Sequence, residues 1–250
     1  MYDYLIQGAT IVDGLGDQPY TGDIAIKAGK IAELGQVSGD AKEIIDADGA
    51  YATPGWVDVH THYDGQVSWD DTIDPSFSHG VTSIVMGNCG VGFAPCPPGH
   101  EKQMIELMEG VEDIPGTALY EGIEWGNWET FSEFIDYLGT KQYTLDVGTQ
   151  VPHSAVRYYV MGERALKHED ATSSDLADMA NLVADGIQAG ALGFSTSRTA
   201  GHRSVLGNEI PGTYAENEEL IAIASAMGKG VFQAVPAGVV GDIVAEKWTT

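Results

Sequence analysis

The sequence predicts an α/β protein: a TIM-type (β/α) barrel, incomplete at about five βα units, behind a small β-rich N-terminal domain. Three features carry that prediction. Residues 1–54 break into short strand-like runs separated by turn residues. From Trp56 onward, apolar strand-like runs alternate with helix-like segments, the pattern of a parallel sheet. The first of those runs ends in His60-Thr61-His62, at the strand end where the active sites of such barrels lie.

In the first domain, residues 1–54, strands are expected over 4–6, 10–12, 22–27, 30–34 and 43–46, with Ala28-Gly29-Lys30 as a tight hairpin turn. Thr53-Pro54-Gly55 is a turn signal that closes the domain. In the second, residues 55–250, strands are expected over 56–60, 82–86, 144–150, 191–195 and 231–235. Helices are expected between them over 75–79, 101–112, 128–138, 155–166, 174–189 and 215–227. Ser173 or Ser174 is expected to cap the longest of these, whose Leu176, Met179, Ala180, Val183 and Ile187 share one face, and Gly190 ends it. An eight-stranded barrel needs roughly 250 residues for itself, so the sequence is expected to stop about three units short of closure. Its fifth strand is then an apolar edge that invites association, including a homo-oligomer.

The 250 residues include 12 basic and 37 acidic side chains, a formal charge of −25. That balance argues against nucleic acid or an anionic membrane surface as partner. The acids are spread along the chain, as on a solvated surface. No apolar run reaches a membrane span and no secretory signal opens the chain, so the expected setting is cytoplasmic. Two cysteines, Cys89 and Cys96, are too few for a disulfide scaffold.

The chemistry concentrates in Pro54-Gly55-Trp56-Val57-Asp58-Val59-His60-Thr61-His62. Side chains alternate along a strand, so a buried strand here brings His60 and His62 out on one side, as half of a zinc or iron site. Cys89 ends the second apolar strand, and a thiolate there is a soft zinc ligand. Arg198, His202 and Arg203 follow the fourth strand, and an arginine suits a substrate carboxylate. His153 follows the third strand as a structural or substrate-contacting residue. Ser195 and Ser197 lack the Gly-x-Ser-x-Gly surroundings of a nucleophile.

The β-rich start, the Pro-Gly-Trp-Val-Asp-Val-His-Thr-His block and the βα alternation resemble the amidohydrolase superfamily. More narrowly, Gly80 to Gly90, with its Gly87-Asn88-Cys89-Gly90, resembles the second barrel strand of the N-acyl-D-amino-acid deacylases, the D-aminoacylases. The segments 125–138, Pro152 to Arg157 and Gly190 to Ser197 are similar to the same family. The resemblance implies that Cys89 is a metal ligand, in the place a carboxylated lysine fills in other relatives. It also implies two further histidine ligands from the fifth and sixth strands and a catalytic aspartate from the eighth. Here the fifth strand, Val231-Phe232-Gln233-Ala234-Val235, has no histidine. The catalytic residue is therefore unassigned, and the expected aspartate falls beyond Thr250.

The implied activity is metal-assisted hydrolysis of a non-peptide C–N bond in an N-acyl amino acid, of D configuration. Zinc, as one or two divalent ions, would be held by His60, His62 and Cys89, with His153, Arg198 and His202 as substrate contacts. Asp64 is the nearest carboxylate for proton transfer. Two alternatives stand beside this: a cyclic amidase acting on hydantoin-like or dihydropyrimidine-like rings, and a non-catalytic truncated barrel that binds a metal or a partner.

Overall fold

A computed structural model describes residues 1–237 as two compact units, Met1–Trp56 and Val57 onward. In the first unit β1 (Tyr2–Ile11) is the centre of a five-stranded sheet with β2 (Tyr20–Lys27), β3 (Lys30–Gly35), β4 (Ala41–Asp46) and β5 (Tyr51–Ala52). β2 pairs antiparallel with β1 and with β3, whereas β4 and β5 run parallel to β1. The β2–β3 hairpin turns on Ala28 and Gly29, both at positive φ, the backbone that a two-residue turn requires.

Where two strands were expected before Val12, β1 is continuous. Its pairing with β2 shifts register between Ile6 and Ala9, and Gly8, at φ +67°, donates its N–H to the Asp23 carboxylate. A bulge carries the strand past the glycine instead of ending it. Leu5, Ala9, Ile11 and Ala25 form the buried side of this sheet.

The second unit holds a five-stranded sheet in the order β10-β9-β8-β7-β6, made of β6 (Trp56–Asp58), β7 (Val81–Met86), β8 (Asp146–Pro152), β9 (Gly193–Ser197) and β10 (Val231–Val235). β7 through β10 pair in parallel. The sheet and its flanking helices form an incompletely closed half-barrel among the described residues, as the sequence predicts. The helices are α1 (Glu101–Glu112), α2 (Gly116–Gly122), α3 (Phe131–Leu138), α4 (His153–Met161), α5 (Glu163–Leu166), α6 (Ser173–Ala189) and α7 (Asn217–Met227). No helix among the described residues is long and apolar enough to cross a membrane.

Ile84 and Met86 from β7, Val151 from β8 and Phe194 from β9 meet Met104, Met108, Phe131, Phe134, Val156, Met179, Val183 and Ile223 in one buried core. Close packing sets the glycine at 186 in α6: a Cβ there would come within 2.7 Å of the Val151 side chain. The expected core face of this helix is buried at Met179 and Val183, spaced i,i+4, whereas Leu176, Ala180 and Ile187 are half-buried.

Several expected boundaries move, each for a local reason. The cap of α6 is Thr172 rather than Ser173 or Ser174, in a capping box with Asp175, whose carboxyl the Arg164 guanidinium holds down at about 2. Thr172→Ala is expected to cost about 1 kcal/mol, read as a lower urea midpoint, with Thr172→Ser close to the parent. The helix expected over 155–166 begins at His153 and breaks at Gly162 (φ +57°, ψ −132°) into α4 and α5. α3 starts at Phe131, three residues late, because Thr130 and Glu133 form its capping box. α7 starts at Asn217, and the segment expected as a helix over 75–79 is a single 3-10 turn, Phe77–His79. α2 was not expected, since glycines at both ends and a single buried Leu119 leave little apolar periodicity.

The first barrel strand departs most. It is paired only over Trp56–Asp58, and Val57 and Val59, expected to be buried, are 59% and 66% exposed. β6 is the edge strand of this sheet among the described residues, and the side of it that carries Val57 and Val59 is open there.

Candidate metal centre

His60 and His62 lie just past β6, and Thr61 between them is pinned. Its N–H and its hydroxyl both donate to the Val85 carbonyl at 2.9 Å, and its own carbonyl accepts from Asn88 Nδ2 at 3.0 Å. With Thr61 held against β7, the two histidines project away from it together, and their rings meet edge to face at 5.5 Å.

Cys89 arrives from the turn after β7. Gly87, Cys89 and Gly90 all have positive φ, at +74°, +56° and +76°. For a cysteine this left-handed backbone costs roughly 1–2 kcal/mol, so surrounding contacts must hold it. Asn88 Oδ1 accepts from Gln150 on β8, Ser195 on β9 bonds both the Gly87 carbonyl and the Gly90 N–H, and Ser154 on α4 donates to the Gly90 carbonyl. A side chain at 87 is impossible without rebuilding, since its Cβ would stand 2.2 Å from the Gln150 carbonyl oxygen.

One potential ligand atom from each of His60, His62 and Cys89 lies within 4.8 Å of the others. His60 Nε2 is 3.2 Å from Cys89 Sγ, near the roughly 3.5 Å that separates two ligands of a tetrahedral zinc. Both cysteines are free thiols.

The electrostatics of this cluster fit a cation site. His62 is pushed down to about 4, first by burial and then by the charges of His60 and His202. Burial, with the carboxylates of Glu112 and Asp64 behind it, pushes the Cys89 thiol up to about 12. Asp64 rises to about 8 by burial, against the opposing pull of backbone amides, and Glu112 rises to about 7 by burial and the neighbouring Asp113. Two buried polar atoms, His62 Nδ1 and Asp64 Oδ2, have no hydrogen-bond partner. A buried lone pair left unmatched is costly; a divalent ion here would reverse the upward shifts of Cys89, Asp64 and Glu112, and the neutral imidazole that the lowered His62 supplies is the form that binds one. The donor set fits zinc: two imidazoles and a sulfur, with carboxylates nearby.

The structure places the remaining candidates differently. His202 reaches this neighbourhood: its Nδ1 meets Ser197 Oγ at 2.9 Å, and burial and then the charge of His60 lower it. His153 is 1% exposed, with Nδ1 on Thr196 Oγ1 (2.7 Å) and Nε2 on Glu219 Oε1 (2.8 Å). Arg198 donates through Nη1 to the carbonyls of Gly212 and Ala215, tying down the loop between β9 and α7. The aspartate expected beyond Thr250 lies outside the described residues.

Two participants escape sequence reasoning. Glu112, at the end of α1, comes to 3.3 Å from His62 Nε2. Gln233 on β10 accepts the Cys89 N–H at 3.2 Å. Neither residue belongs to a local motif that marks it. Only the packing of α1 and β10 brings them in.

A half-barrel with a His-x-His and a cysteine at the ends of adjacent strands defines a class, and the profile of the Amidohydrolase family matches residues 43–237; the chain belongs to that family. Within it, the chain is 32% identical over 195 residues to an N-acyl-D-aspartate deacylase of Alcaligenes xylosoxydans xylosoxydans, covering 78% of this chain and 36% of that protein. Its fold is similar to a D-aminoacylase with a binuclear metal centre, at TM-score 0.73 and 28% identity, over 94% of this chain and 45% of the other. It is likewise similar to the N-acyl-D-glutamate deacylase of Bordetella bronchiseptica in complex with zinc and a phosphonate inhibitor, at TM-score 0.71 and 25% identity, over 93% and 44% of the two chains. The chain thus spans less than half the length of these relatives.

Proposed function

We propose that this chain is part of a metal-dependent hydrolase that cleaves the amide of an N-acyl amino acid, of D configuration, with zinc at His60, His62 and Cys89. The observation that carries the reading is the convergence of those three side chains within 4.8 Å. The similarity to deacylases of N-acyl-D-aspartate and N-acyl-D-glutamate supports the substrate class. Zinc in the second of these supports the metal.

A zinc ion held there supplies Lewis acidity, polarising a carbonyl oxygen and acidifying water. The chain's own residues set the conditions around it. Thr61 and the hydrogen-bonded 87–90 turn fix the ligands just past the ends of two neighbouring strands. Asp64 and Glu112 are the carboxyl groups that bear on the cluster, and in this reading, ionised beside the cation, they would accept protons at its edge. His202, oriented by Ser197 through its Nδ1 at 2.9 Å and close enough to influence His62, is the substrate contact in this reading. His153 and Arg198 shape the wall behind it through Thr196 and the loop at 212–215.

The test is a metal assay joined to a substrate panel on purified protein. Near-stoichiometric zinc is expected, with release of acetate from N-acetyl-D-amino acids that a chelator abolishes and added zinc restores. Hydrolysis of hydantoin or dihydropyrimidine rings without deacylation would replace this reading by the cyclic amidase. Metal-free, inactive oligomers on gel filtration would replace it by a binding role.

A further inference from the structure

The 87–90 turn draws on every strand of the half-barrel. The segment after β6 accepts through the Thr61 carbonyl, β7 through Val85, β8 donates through Gln150, and β9 bonds through Ser195. These contacts hold Asn88 and the two glycines. The N–H of Cys89 itself is held by a side chain from the remaining strand: Gln233 Oε1, 144 residues away in sequence, at 3.2 Å. In the β9–β10 ladder Gln233 stands opposite Ser195, which grips the flanking glycines, so the two side chains approach the same turn from adjacent strands.

We propose that Gln233 is a positioning residue for Cys89: by accepting its N–H, it holds the left-handed backbone that presents the thiol to His60. The inference deepens the metal reading and rests on it for its consequence, though not for the hydrogen bond. A non-glycine residue at φ +56° relaxes toward ordinary backbone unless its polar groups are tied. Once the other contacts have fixed residues 88 and 90, the N–H of residue 89 is the handle left for a neighbour to hold. The fifth strand thereby serves the centre through a neutral amide acceptor, with no imidazole among Val231–Val235. A carbonyl oxygen fits this role better than a donor would, because the group it must satisfy is an N–H.

Three variants separate the possibilities. Gln233→Glu keeps an acceptor at the same reach, Gln233→Leu removes it at similar volume, and Gln233→Ala removes it with less packing. Two readouts apply to each: amide hydrogen exchange at Cys89 in metal-free protein, and zinc affinity by chelator competition, with the thiolate absorption of the cobalt-substituted protein as a spectroscopic check. Gln233→Leu and Gln233→Ala are expected to exchange the Cys89 amide faster and to bind zinc about 10-fold or more weakly, the usual scale for losing a partner that orients a ligand. Gln233→Glu is expected to stay near the parent in both. Unchanged exchange at Cys89 in Gln233→Leu overturns the proposal whether or not the protein binds zinc, and so does unchanged zinc affinity beside altered exchange. A parent protein that binds no zinc while its Cys89 exchange still responds to Gln233→Leu overturns the metal reading instead and leaves the positioning of Cys89 standing.

Discussion

Cys89→Ser is expected to lower zinc affinity by about 100-fold or more, a larger loss than the 10–100-fold typical when a residue that only orients a ligand is removed. The thiolate supplies the softest donor of the three, and a serine hydroxyl at the same place is a poor zinc ligand at neutral pH. The measurement is chelator competition at fixed pH. Fixing the pH matters because the thiol, pushed up to about 12 when metal-free, must release its proton as the cation binds. Folding of the variant is checked by its urea midpoint, which should move little, since serine replaces sulfur by oxygen without changing the number of side-chain atoms. A variant that keeps both stoichiometry and affinity would remove Cys89 from the centre.

Glu219→Ala is the second large effect, and it falls on stability. Glu219 Oε1 takes both His153 Nε2 at 2.8 Å and Arg157 Nε at 2.9 Å, and all three residues are almost fully buried. Burial by itself raises the Glu219 carboxyl, but the bonds and charges of His153 and Arg157 outweigh it and hold it below the usual range. Removing the carboxylate leaves the Arg157 charge in the interior without its counter-ion, an expected loss of about 3–5 kcal/mol by urea unfolding. A loss under about 1 kcal/mol would show that Arg157 finds compensation elsewhere, for instance at the Glu169 carbonyl it already meets.

The same triad sets an acid limit on stability. Burial is the main cause that keeps His153 below its ordinary 6.5, so its contribution is complete above that pH and is lost as the pH falls through its folded value. Glu219 is also lowered, so its contribution is complete above its ordinary 4.5 and is lost as the pH falls further. Both groups act in the same direction. Stability of the parent should therefore decline on acidification from about pH 6.5, and its advantage over Glu219→Ala should narrow below 4.5, where the carboxyl takes up its proton. A gap that stays constant through that range would mean that Glu219 is not the titrating partner.

How much of this was legible beforehand depended on whether a signal was local. The strands ending at Met86 and Val235 and the helix Glu101–Glu112 were readable because their apolar residues repeat at the period of the element. His60, His62 and Cys89 were readable because strand alternation and the shared end of a parallel sheet place them without further information. Boundaries were less so: Thr172 displaced the expected serines because Asp175 lies three residues on, and Gly162 split a helix whose apolar pattern ran straight through it.

By itself the sequence determined the half-barrel, its β-rich companion and the three residues that converge, since each is written in short-range pattern and chain direction. Tertiary structure alone decided that Glu112 faces His62, that His153 is locked between Thr196 and Glu219, that Val57 and Val59 are exposed, and that Gln233 reaches the Cys89 amide. The physical reason is that each of these depends on how elements tens of residues apart or more come together. Hydrophobic periodicity fixes which face of an element is buried, whereas the partner of a buried polar atom is set by how the elements pack.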